Sequence, residues 1–182
     1  MRFNPTRLAA VTVVELEPIE DERGFFARAF CATEFVAHGL NPHVEQANHS
    51  YNRHAGTLRG LHYQRSPHSE AKLIRCIGGA AYMAVVDLRP DSLTHLQHVT
   101  TELRRGDRRS LYVPEGCAVG MQTLEDDTEL LYQVSHAYTP SAEAGLRYDD
   151  PVLDIKWPRA PSVISDKDTL WPFIPRPEGD AG

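Results

Sequence analysis

Between residues 57 and 135 the chain is a succession of short apolar runs cut by turn signals, and this spacing limits the fold more than any other feature. LRGLHYQ (58–64) and AKLIRCI (71–77) come first, and Gly78-Gly79 then turns the chain into AAYMAVVDLR (80–89). LQHVTTEL (96–103) and RRSLYVP (108–114) are parted by a Gly-Asp turn, and CAVGMQTL (117–124) and TELLYQVS (128–135) by the acidic turn EDD. Short strands at regular spacing predict an all-β sandwich or barrel. VTVVEL (11–16) and GFFARAF (24–30) read as further strands, and CATEFVAHGL (31–40) as a short helix stopped by Gly39. From about residue 139 the chain turns irregular, with prolines at 140, 151, 158, 161, 172, 175 and 177. Ile155, Trp157, Val163, Ile164, Trp171 and Phe173 make this tail too apolar for a free linker, so it is expected to wrap the barrel. The expectation is a jelly-roll or cupin-type β-barrel, with one short helix and a Pro-rich tail, forming a single domain over residues 1–182.

Charge narrows the partners. Nineteen Lys and Arg against 25 Asp and Glu give a net charge of −6, which argues against a nucleic-acid polymer but leaves room for one anionic small molecule. No apolar stretch reaches the roughly 20 residues that span a bilayer, and the first residues lack the apolar run of a signal peptide. Three widely spaced cysteines with no CxxC argue against a disulfide framework and for a reducing cytoplasm.

Barrels of this kind often hold a metal on a His-x-His pair, since alternate strand residues face one side, with a further His after a Pro-x-Gly turn. Here those stretches read His62-Tyr63-Gln64 and Pro114-Glu115-Gly116-Cys117-Ala118-Val119. Both ligand positions are broken, so no metal or other cofactor is expected.

GTLRGLHYQ (56–64), AKLIRC (71–76), VVDLRPDSLTH (85–95), YQVSHAYTPSAEAGLRYDDPVLDIKWP (132–158) and ISDKD (164–168) occur in order. Together they resemble the dTDP-4-dehydrorhamnose 3,5-epimerase family from Asp21 to about Pro172. The resemblance implies a metal-free jelly roll, a homodimer, and a nucleotide-linked 4-keto-6-deoxy sugar as substrate. In the implied chemistry a base removes a proton beside the ketone, an enolate forms, and an acid reprotonates the opposite face. It assigns the base to His62, its orienting carboxylate to Asp168, the acid to Tyr132, and the cation beside the enolate to Lys72. Arg23 and Arg59 match pyrophosphate contacts, Phe26 the base pocket, and Gln46 and Asn48 nucleotide contacts. Tyr138 matches a stacking residue, and Glu143 and Lys167 peripheral binding positions. Arg23, Arg59 and Lys72 are expected to converge on one diphosphate.

Several residues depart from the family pattern. Met83 stands where Asp is common, Val119 where His is common, and Glu70 where Gln is common. Arg28 and Ala47 depart on the nucleotide side. Met83 and Val119 are expected to face each other as an apolar replacement of a polar pair. A non-catalytic sugar-nucleotide-binding protein and a metal-dependent cupin oxygenase or isomerase are the competing readings.

Overall fold

The computed structural model describes residues 1–175; Pro177, the last proline of the tail, lies outside them. In chain order come β1 (Arg2–Pro5), β2 (Thr12–Glu15), β3 (Ile19–Asp21), β4 (Gly24–Phe26), helix α1 (Ala32–Ala37), β5 (Gln46–Asn52), β6 (Thr57–Gln64) and β7 (Lys72–Gly78). There follow β8 (Ala80–Asp87), β9 (His98–Arg104), β10 (Arg109–Val113), β11 (Cys117–Thr123), β12 (Thr128–Val134), β13 (Glu143–Gly145), β14 (Val163–Ile164) and helix α2 (Asp166–Thr169). One sheet has the order β1-β2-β10-β7-β12-β5, and a second the order β13-β6-β11-β8-β9, with β14 added beside β6. The long crossovers between sheets are those of a jelly roll, as the strand spacing predicts.

Alternation along the strands builds the layers. Ala81, Met83 and Val85 of β8 point between the sheets, into a core with Ile74, Leu111, Val119 and Leu130. Ala84 and Val86 of the same strand point outward, where Leu153 and Ile155 of the tail cover them, packed by Trp157. Strand β8 is therefore apolar on both faces because both faces are covered. On the first sheet Leu73 and Tyr112 point outward against Phe35 of α1. The tail wraps the second sheet as expected, and Val163–Ile164 pairs in parallel with Thr57–Leu58.

The predicted strand over 24–30 ends at Phe26, so GFFARAF contributes only a short hairpin arm. The sequence pattern misses β5, whose residues QANHSYN are mostly polar and exposed. That strand exists because its backbone pairs with all of β12. Strands β1, β3, β13 and β14 and helix α2 are also absent from the sequence reading, each too short for periodicity to show.

The motif VVDLRPDSLTH is a structural knot. Asp87 is wholly buried and accepts hydrogen bonds from Arg89 Nε and Nη2 and from the hydroxyls of Ser92 and Thr94, all at 2.6–2.8 Å. Burial alone would raise its pKa, but these donors outweigh burial and hold the carboxyl well below its ordinary range.

Candidate active site

The site begins at an irregularity in β6. Across the β6–β11 ladder Val119 sits opposite His62, but Met121 sits opposite Arg59, so β6 carries an extra residue. This is a β-bulge. Without it, residues three apart would point to opposite faces; with it, Arg59 and His62 both line one cavity. Gly60 occupies the bulge at φ +104°, where a Cβ would lie 2.7 Å from the Val119 carbonyl oxygen, so only glycine fits.

Asp168 comes from the tail. Ser165 caps α2 by accepting from the Asp168 N–H at 3.2 Å, and this short turn aims the carboxylate at β6. Asp168 Oδ1 meets His62 Nε2 at 2.5 Å, Gly60 N donates to Oδ2 at 3.2 Å, and Trp171 Nε1 donates to Oδ1 at 3.3 Å. Burial pushes the Asp168 pKa up, yet the donors, His62 first, bring it net below its ordinary value. An ionised carboxylate only accepts, so His62 carries its proton on Nε2 and its free lone pair on Nδ1.

Facing His62, on the other sheet, stand Tyr132 of β12 and Lys72 of β7, and all three line a cavity of about 210 Å³. Burial raises the Tyr132 pKa, the Glu70 charge adds to the rise and Arg59 opposes it, so the phenol keeps its proton at neutral pH. Lys72 does point inward, but its ammonium is already met by Glu70 at 2.9 Å. The sequence marks Glu70 only as a departure from the family pattern, yet two residues before Lys72 it lies on the same side and meets its ammonium. The sequence marks Trp171 only as apolar, yet it braces Asp168 and packs against Gly145, where a Cβ would lie 2.4 Å away.

Tyr132 also borders a rim cavity of about 340 Å³, lined by Gln46, Asn48, Glu70 and Tyr138. Tyr138 N donates to Gln46 Oε1 and its hydroxyl to Glu143 Oε2, both at 2.9 Å, and Lys167 Nζ pairs with Glu143 Oε1 at 2.5 Å. Lys167 in turn lines a groove of about 460 Å³ shared with Arg59, His62 and Asp168. Ten of the twelve site residues the sequence points to are thus gathered around connected cavities: His62, Asp168, Tyr132, Lys72, Arg59, Gln46, Asn48, Tyr138, Glu143 and Lys167.

Arg23 and Phe26 are not among them. They line none of these cavities. Both lie on the β3–β4 hairpin, where Arg23 pairs with Asp21 and Phe26 is 73% exposed. The hairpin leans on the start of β10, through Arg108 on Glu20 at 2.9 Å and over the Phe25 ring at 4.5 Å. The expected convergence of Arg23, Arg59 and Lys72 does not occur within one chain. Met83 and Val119 do not face each other either. They are diagonal neighbours on one wall, because the ladder sets Met121 opposite Met83 and Val85 opposite Val119.

Gln64 is engaged elsewhere, its Nε2 within 3.3 Å of the His68 carbonyl, Glu70 and the Ala137 carbonyl. Among the described residues no three His, Cys, Asp or Glu side chains gather at ligating distance. Burial pushes the Cys117 thiol up to about 12 and Cys76 to about 11, so neither is a ready nucleophile. No helix of the described residues is long and apolar enough to cross a membrane.

Known proteins share this fold. The sequence pattern of the dTDP-4-dehydrorhamnose 3,5-epimerase family matches residues 5–175. The enzyme of that name from Sinorhizobium fredii is 35% identical over 175 residues, 96% of this chain and 90% of its own. Its counterpart from Bacillus anthracis, solved with TDP and PPi bound, superposes with a TM-score of 0.91 at 35% identity, covering 95% of this chain and 99% of that one. The Legionella pneumophila enzyme, solved with dTDP-4-keto-L-rhamnose, gives 0.87 at 32% identity over 94% and 92% of the two chains. With the fold, the His62–Asp168 pair and the ordered motifs all agreeing, this chain belongs to the dTDP-4-dehydrorhamnose 3,5-epimerase family of carbohydrate isomerases.

Proposed function

We infer that the chain epimerises a dTDP-linked 4-keto-6-deoxy hexose at C3, at C5 or at both, without a cofactor. The observation that carries this reading is the placement of His62 and Tyr132 on facing sheets across one cavity. Packed sheets stand about 10 Å apart, so a six-membered ring between them shows one face to each. His62 Nδ1 takes the proton from the carbon beside the ketone. The C–H electron pair becomes the new C=C bond, and the carbonyl π pair moves onto oxygen as an enolate beside Lys72. Tyr132 then delivers its phenolic proton to the opposite face, and proton exchange with solvent resets imidazolium and phenolate. Asp168 stabilises the imidazolium without taking its proton. Glu70 holds the Lys72 ammonium in place. Arg59 serves the diphosphate, and the rim residues Gln46, Asn48 and Tyr138 serve the nucleotide, bordered by Glu143 and Lys167.

Incubation with dTDP-4-keto-6-deoxyglucose in D₂O tests the reading. Deuterium should enter at C3, C5 or both, as read by NMR, and the labelled positions report which centres turn over. A sugar that binds but never exchanges would leave only the non-catalytic reading.

We also propose a homodimer located in the cytoplasm. Ile19, Phe25 and Phe26 leave an exposed apolar arm on the β3–β4 hairpin, and a second copy would cover it. In a two-fold dimer this arm supplies Arg23 and Phe26 to the partner's cavity. The expected result is complementation. Arg23→Ala and His62→Asn proteins, each weak alone, should recover about a quarter of wild-type activity when refolded together, because half the dimers then hold one intact site. Activities that only average on mixing would place Arg23 outside the partner's site.

A further inference from the structure

The 210 Å³ cavity is chemically divided. Its polar groups come from β6 (Arg59, His62) and from the facing sheet (Ser50, Lys72, Tyr132), and Met83, Val119 and Met121 of β8 and β11 form a stretch of lining with no polar side chain. The register makes the three apolar residues one surface. Val119 lies directly opposite His62, and Met121 directly opposite Met83, so the apolar wall starts beside the base and continues onto β8. Directly paired side chains in such a ladder have Cβ atoms about 4.5–5.5 Å apart, which places any substrate carbon at His62 within reach of Val119. Ile74 and Leu130 face this wall from the other sheet.

A hexose hydroxyl turned toward that wall finds no side-chain donor or acceptor stronger than a thioether. The backbone groups behind it are committed to the β6–β11–β8 ladders. Three of the polar side chains nearby are engaged, His62 with Asp168, Lys72 with Glu70, and Arg59 Nε with Asn52 Oδ1 at 2.7 Å, and the Ser50 and Tyr132 hydroxyls belong to the facing sheet, across the cavity from the wall. A buried hydroxyl stripped of water and left unpaired is penalised, whereas a hydrogen on the same carbon meets the wall without loss.

We propose that Met83, Val119 and Met121 are specificity-determining residues that select a 4-keto-6-deoxy hexose lacking a second ring hydroxyl, at C2 or C3, over one carrying both. This deepens the epimerase reading and rests on it for the identity of the cavity. Hydrophobic walls discriminate against an added hydroxyl by about 10- to 100-fold, and that is the preference expected here.

The test compares three dTDP sugars with the intact protein: 4-keto-6-deoxyglucose and its 2-deoxy and 3-deoxy analogues. Binding is measured by calorimetry, and deuterium incorporation beside the ketone by NMR. At least one dideoxy sugar should bind and exchange about 10- to 100-fold better than the hydroxylated sugar. Met83→Gln keeps the length of the side chain and adds a donor and an acceptor, so it should shrink that ratio. Val119→Thr, nearly isosteric, gives the same readout if Met83→Gln fails to fold. Equal or stronger binding of the hydroxylated sugar by the wild type would overturn the proposal, as would a ratio unchanged in the folded variants. Binding preference without exchange of any sugar would instead overturn the epimerase reading and leave the wall's selectivity standing.

Discussion

Asparagine at position 62 is expected to lower deuterium exchange by about 10²–10⁴-fold, the usual contribution of a positioned general base, while nucleotide-sugar affinity changes little. Asparagine fills most of the imidazole's space and can donate to Asp168, so the fold and the groove should survive. What is lost is the basic Nδ1 lone pair. Asp168→Asn should produce a loss in the same range for a different reason. The amide no longer fixes the tautomer or stabilises the imidazolium, though every heavy atom of the dyad remains. Both variants are read by single-turnover exchange alongside calorimetric binding of dTDP. Unchanged exchange in His62→Asn would remove His62 from the base role and leave Tyr132 as the titratable group across the cavity.

The second large effect concerns stability. Asp87→Asn is expected to cost about 3 kcal/mol, because it strips the charge from a wholly buried acceptor serving Arg89, Ser92 and Thr94. Arg89 is 29% exposed at its side chain and can turn partly to water, which keeps the loss at the lower end of the range for broken buried pairs. For a chain of this size that corresponds to a fall in Tm of roughly 6–12 °C. The sign with pH follows from the depressed pKa of Asp87. Its contribution is complete above the unfolded-state value of about 3.9 and fades as pH falls through that value toward the lower folded one. The Tm gap between wild type and variant should therefore be full near neutrality and narrow below about pH 4. A gap that persists unchanged into acid would mean the knot is held by shape rather than by charge.

Asp87 also shows what a recognisable motif does and does not reveal. VVDLRPDSLTH is as distinctive in the sequence as LRGLHYQ, yet one ties a turn behind the sheet and the other carries the base. The letters of the two motifs do not separate these roles. Both aspartates are buried, and their partners separate them: four donors from Arg89, Ser92 and Thr94 surround Asp87, whereas Asp168 faces His62 at the edge of a groove.

The alternation of apolar residues and the turn signals were enough to specify a two-sheet β fold, because strand period and turn chemistry are local properties of the chain. The ordered motifs were enough to name the family and ten residues gathered at the connected cavities. The remainder depended on long-range placement. Strand β5 exists only by pairing with β12, since its own residues have no apolar face to announce it. Glu70 stands two residues before Lys72, and only the folded chain shows that the two side chains pair. Arg23 and Phe26 are correctly typed for a diphosphate and a base, yet the hairpin that carries them lines none of the three site cavities of their own chain. Above all, Arg59 and His62 are three residues apart on a strand, and period two would send them to opposite faces. The extra residue at Gly60 turns both inward. Sequence spacing sets which side chains alternate, but a bulge is fixed by the partner strand, and only the assembled sheet decides where it falls.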